Sequence, residues 1–154
     1  MISHKPDGEG DDGNAVLEFI VLTALFLIPL TYLMLAVFQV QGAAYSVTEA
    51  AREAGHAFVE ADSLAAAYPR ACTAAQVALV DQGSGRSDCA TQVEISCVSD
   101  QPCTTQLAPG TTIRASLMLA VPLPFLPSSV FGIPLTIKVS ATHDEVVDSY
   151  RAGR

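Results

Sequence analysis

Gly13-Asn14-Ala15-Val16-Leu17-Glu18-Phe19 opens a run that stays almost wholly apolar from Ala15 to Val40. No side chain from Phe19 to Thr48 carries a formal charge. As a helix, Ala15–Val40 would span roughly 39 Å, and a bilayer core needs about 20 apolar residues. The run therefore reads as a membrane-spanning helix, with Glu18 near its start and Pro29 near its middle. A carboxylate at mid-bilayer costs about 2.5–3.5 kcal/mol, and less toward the interface. Glu18 thus needs a physical reason, and the plainest is that a helix N-terminus favours negative charge. Pro29 removes one hydrogen bond inside the span and reads as a kink.

On the near side of the run, residues 1–13 are polar, acidic and Gly-rich, with Pro6 and a single Lys5. Such a leader has nothing to bury and is expected to be disordered. It lacks the basic start of a secretory signal, and the apolar run is longer than a signal's, so the segment reads as an anchor. On the far side, a chain of 154 residues leaves room for one modest domain. Net charge is −8, and the eight Lys and Arg are scattered, which argues against a nucleic-acid partner.

All four cysteines, Cys72, Cys89, Cys97 and Cys103, follow the run. An even count without a CxxC pair reads as two disulfides in an oxidising compartment. Three pairings are possible. Cys72–Cys89 with Cys97–Cys103 is favoured because each closes a short loop, and buried free thiols are the alternative. No His sits among them and close ligand pairs are missing, so no metal is expected. Disulfides would put this domain outside the cytoplasm and the N-terminus inside.

Past the span (residues 14–41), the Ala-rich sequence holds no Pro before Pro69. Ala43, Val47, Ala50, Ala54, Phe58 and Ala61 recur at helical spacing as one stripe. Arg52 with Glu49, and His56 with Glu60, fall at ion-pair spacing on other faces. One helix of about 50 residues is expected, ended by Tyr68-Pro69, then a short helix over Ala71–Asp81. Three runs alternate with period two: Thr91–Val98, Thr111–Val121 and Ile133–Thr142. Their inward residues would be Val93, Ile95 and Cys97, then Ile113, Ala115, Leu117, Leu119 and Val121, then Leu135, Ile137, Val139 and Ala141. The fold class is α+β, a small antiparallel sheet on the helix stripe, over residues 42–145. The polar end from His143 is expected to fray, with 146–154 as a tail.

The step from Gly13 to Glu18-Phe19 ahead of a long apolar helix resembles the processing site of type IV prepilins and pseudopilins. The resemblance implies a membrane prepilin peptidase cutting between Gly13 and Asn14, which makes Glu18 the fifth mature residue. It also implies that the freed amine of one subunit pairs with the Glu18 of the next, neutralising both in lipid. Ala15, Glu18-Phe19 and the segment Ala50-Ala51-Arg52-Glu53-Ala54 together resemble the TadE-like group of tight-adherence (Flp) pilus proteins, over roughly residues 13–60. That resemblance implies a pilin-like domain on a single-pass anchor in the bacterial inner membrane. Its partners would be the bilayer, other pilin-like subunits and an inner-membrane platform protein.

Two other function classes compete with this one. His4, His56 and His143 are isolated, and adjacent Asp144 and Glu145 would point to opposite faces of a strand. No Gly-rich phosphate loop occurs, so neither an enzyme nor a cofactor is expected. An anchored binding module unrelated to pilus assembly would use the Pro-rich loop Val121–Pro134, with Phe125 and Phe131.

Overall fold

The computed structural model describes residues 12–85, 92–98, 107–124, 129–130 and 132–150, with the backbone alone at 12, 13, 130, 133 and 134. The leader up to Asp11, Cys89, Cys103, Phe125, Phe131 and the last four residues lie outside the described residues. The chain divides into two units, Met1–Val37 and Phe38–Arg154.

The first element, α1, is a single 48-residue helix over Asp12–Val59. Its early part carries large apolar side chains on every side, Leu17, Phe19, Leu25, Phe26, Ile28 and Leu33 among them, and all are exposed. It is long and apolar enough to cross a membrane. The Thr31 hydroxyl donates to the Leu27 carbonyl at 2.8 Å, so this polar group is satisfied within the helix.

In the second unit, all six positions of the expected stripe are buried: Ala43, Val47, Ala50, Ala54, Phe58 and Ala61. Ser46, Ala51 and Val59 widen it. The helix stops earlier than the prolines suggested. Ala61 N–H closes back on the Phe58 carbonyl at 3.2 Å, and α2 starts directly, over Leu64–Asp81. Ser63 is its N-cap, with Oγ accepting from Ala66 N–H at 3.4 Å. Pro69 lies inside α2 rather than ending α1. Asp62-Ser63 supplies the break and the cap, while Pro69 forfeits one N–H bond near the start of a helix that its packing retains. Phe58 and Tyr68 join the two helices edge to face, ring centroids 5.1 Å apart at 84°.

The far end of α2 is a Schellman closure. Ser84 N–H reaches the Leu79 carbonyl at 2.9 Å, and Gly83 N–H reaches Val80 at 3.0 Å. Gly83 supplies the positive φ, +73°, that the closure requires. The Ser84 hydroxyl then meets Ser46 Oγ at 2.6 Å. Ser46 gives its own proton to the Ala43 carbonyl at 2.9 Å, so Ser84 is the donor between them.

Strands β1 (Val93–Cys97), β2 (Thr112–Pro122) and β5 (Thr136–Val146) form an antiparallel sheet in the order β1-β2-β5. A two-stranded hairpin, β3 (Ser129–Val130) with β4 (Ile133–Pro134), stands between β2 and β5 in the chain. β2 is the central strand, and its expected inward residues Ile113, Ala115, Leu117, Leu119 and Val121 are all buried. β5 departs from expectation at both ends. Ile137 is 40% exposed, and Leu135 precedes the strand. At the other end the strand does not fray at His143: it pairs with β2 through Val146, and Val147 is fully buried. The inward phase simply continues through polar residues, as half-buried Val139, Ala141, His143 and Glu145. The boundary drawn at 146 thus falls inside packed structure.

Candidate functional site

The residues singled out at the start of the chain lie on the first turns of α1. The helix begins at Asp12, so the Gly13–Asn14 bond is already helical. Asn14, Glu18 and Phe19 are exposed. The first cation along α1 is Arg52. Glu18 therefore has no cationic neighbour one turn away, and none of the ion pairs among the described residues involves it. A carboxylate on an apolar helix with no partner of its own is a site that a cation from another chain could satisfy.

Sequence reasoning missed a second polar group in this segment. The Tyr32 hydroxyl is shielded and has no hydrogen-bond partner among the described residues. Glu18, Leu22, Leu25, Pro29 and Tyr32 recur at helical spacing, so both polar groups and the helix-loosening proline share one face. That spacing was available in the sequence.

The other expected residues scatter across the second unit. Cys72, on α2, and Cys97, on β1, are each disulfide-bonded, and no described cysteine is free. Their expected partners Cys89 and Cys103 lie outside the described residues. His56 meets Glu60 as spaced, Nε2 to Oε1 3.4 Å, with both exposed. Arg52 and Glu49 form none of the ion pairs among the described residues. His143 is not isolated: its Nε2–H donates to Glu145 Oε2 at 3.0 Å. The pair lies on the inward face of β5, against Gly55 of α1. A Cβ added at Gly55 would stand 3.5 Å from His143 Cδ2 and 3.6 Å from the Cβ atoms of Ala115 and Glu145. Glycine here permits close seating of α1 on β2 and β5.

On the outer face, Arg114 of β2 forks Asp144 of β5, its registered partner. Nε and Nη2 donate to Oδ1 and Oδ2, both at 2.7 Å. Those hydrogen bonds first, then the guanidinium charge, hold the Asp144 carboxyl below the usual carboxylate range. An open groove of about 550 Å³ runs between the end of α1 and α2, lined by Ala57, Glu60, Pro69, Arg70, Thr73 and Ala74. Its charged groups are already engaged, Glu60 with His56 and Arg70 with Asp62 at 3.9 Å. Among the described residues no three His, Cys, Asp or Glu side chains are gathered to hold a metal. No family model, curated protein or solved structure matches this chain.

Proposed function

We propose that this protein is a membrane-anchored, non-catalytic subunit of a bacterial pilus-like assembly. Its class is that of the pseudopilins, and within it the TadE-like proteins of tight-adherence pili. The early part of α1 crosses the inner membrane, with the N-terminus in the cytoplasm and the α+β domain outside. One observation carries the reading: Glu18 is exposed on an apolar helix that offers it no cation before Arg52. The freed N-terminal amine of a neighbouring subunit, exposed by a prepilin peptidase at Gly13–Asn14, supplies that cation. Because this bond lies in the first helical turn, cleavage requires that turn to open, as helix ends readily do. Pilin-like neighbours pack along the apolar face, and a platform protein receives the assembly. Two disulfides, Cys72–Cys89 and Cys97–Cys103, complete the external domain.

The test is Glu18→Ala in the producing cell. Membrane insertion stays intact while incorporation into the assembly falls at least tenfold, and intact mass shows loss of residues 1–13 in both proteins. Normal incorporation of Glu18→Ala would overturn the pairing role, and retention of Met1 would remove the processing step. Both together would leave an anchored binding module as the better reading.

A further inference from the structure

β5 is an open edge of its sheet among the described residues, and an 11-residue edge is a long one to leave bare. Its hydrogen-bond phase follows from the bonds that flank it. Val147 N–H donates to the Thr111 carbonyl at 2.9 Å, and Leu123 N–H to the Leu135 carbonyl at 3.3 Å. In an antiparallel ladder every second residue gives both backbone groups to one neighbour. Odd-numbered residues of β5 therefore face β2, and Lys138, Ser140 and Thr142 turn their N–H and C=O groups outward. β1 is the opposite edge. Val98 N–H donates to the Thr112 carbonyl at 3.0 Å, so even-numbered residues of β1 face β2, and Val93 and Ile95 turn theirs outward. Both edge strands are antiparallel to β2, hence parallel to each other.

We propose that copies of this chain join head to tail through their sheets, β1 of a second copy lying parallel along β5, with Glu94 of the partner subunit opposite Lys138. The parallel choice rests on the proposed function: copies anchored in one membrane carry α1 in the same direction, and their strands with it. A second β5 at the same height does not fit. Aligned residues of a parallel pair turn their bonds in opposite senses, and equivalent residues turn them alike. β1 does fit. Even-numbered residues of β5 turn their bonds toward the joint and even-numbered residues of β1 turn theirs away, while Lys138 and Glu94 both stand exposed on the outer face. Lys138 N–H then donates to the carbonyl of Val93 of the partner subunit, and the N–H of Ile95 of the partner subunit donates to the Lys138 carbonyl.

Charge selects the register. With residues 92–98 kept in phase and within β5, Glu94 of the partner subunit can stand opposite Lys138, Ser140 or Thr142. Opposite Lys138 it meets a cation, whereas opposite Thr142 it lies diagonal to Asp144, a like charge. Neither Glu94 nor Lys138 joins an ion pair among the described residues. Within one chain Glu94 stands level with Thr142, through Ser116. Each copy is therefore displaced along the strands from the last, by about 13 Å at the usual rise per residue. That offset keeps the joint from closing on itself, so the array climbs as a filament.

The experiment is sedimentation of the full chain in detergent micelles across a concentration series. Oligomers that lengthen with concentration are expected, without a halt at the dimer. Lys138→Glu or Glu94→Lys alone should weaken association about tenfold or more, by setting like charges opposite each other. Both side chains are exposed, so neither change disturbs the core. An equimolar mixture of the two variants should recover association, because each chain then meets an opposite charge at both of its edges. Ser140→Pro removes an outward N–H without touching the β2 ladder, which is where an edge strand tolerates proline; it should give a monomer. A wild-type chain that stays monomeric, or that stops at a dimer, overturns the proposal. So does an assembly indifferent to the charge variants or to Ser140→Pro, and so does a mixture that fails to restore it. Glu18→Ala leaves this joint intact, so failure here and failure of the pairing at Glu18 are read apart.

Discussion

The two parts of α1 use a similar apolar vocabulary and meet different surroundings. Phe26 and Phe58 are the same side chain on the same helix, yet the first is 72% exposed and the second fully buried. Around Phe26 the neighbours are large: Leu22, Leu25, Leu27, Ile28 and Leu30. Around Phe58 they are small: Ala50, Ala51, Ala54 and Gly55. Large side chains on every face fill a fluid apolar solvent and need no fixed partner. Small ones confined to a stripe let another element's backbone come close. Hydrophobicity thus says that a segment avoids water, and side-chain size says whether a shaped surface of its own protein replaces the water.

The sharpest way to break this contrast is to truncate both rings. Phe58→Ala should cost about 3–5 kcal/mol of domain stability, because it empties a packed site and removes the edge-to-face contact with Tyr68. Phe26→Ala should leave domain stability within about 0.5 kcal/mol. Thermal or denaturant unfolding of the full chain in micelles reads both, and equal effects would refute the division.

A smaller effect tests the close seating of α1. Gly55→Leu should cost about 1–3 kcal/mol by overpacking against His143, Ala115 and Glu145. Gly55→Ala should be neutral or stabilising by up to about 1 kcal/mol, since its Cβ would sit at ordinary contact distance. The same two changes at Gly42, where an added Cβ meets nothing, should not diverge in this way.

The smallest effect lies on the exposed face of the sheet. The folded Asp144 carboxyl titrates below its unfolded value, which is about 3.9. Its pair with Arg114 therefore contributes stability above that pH and loses it as pH falls through the folded value. Arg114→Gln should return the Asp144 carboxyl to the usual range in an NMR titration and flatten stability across that acid window. Added salt should shrink the difference, since both groups are exposed.

What the residues revealed in advance follows from what each pattern depends on. The stripe from Ala43 to Ala61 and the alternation of β2 depend on spacing alone, and every position named in them is buried. Proline spacing puts the break between the helices at Tyr68-Pro69, whereas the structure puts it at Asp62-Ser63. The Ser63 cap satisfies a free N–H at the start of α2, whereas a proline early in a helix costs one hydrogen bond. The end of β5 looks like a tail in the sequence because His143, Asp144 and Glu145 are polar. Their partners, each other and Arg114, become visible only once the register with β2 is known. At the start of α1, Gly13, Asn14, Glu18 and Phe19 could be picked out by spacing. The face that Glu18 shares with Tyr32 is marked by the shielded, unpartnered hydroxyl of Tyr32, which spacing alone does not show.

The seating of Gly55 also sets an order of events. Its neighbours come from β2 and from β5, the last of the described strands. The helix hairpin of α1 and α2, tied by Ser46 and Ser84, needs only local contacts and can form early. The stripe around Gly55 is fully covered only once β5 is in place. The α1–α2 pair can therefore form before the sheet closes over this seam of small residues. A chain cut short before β5 would keep the β2 side of that seam covered and lose the side that His143 and Glu145 supply.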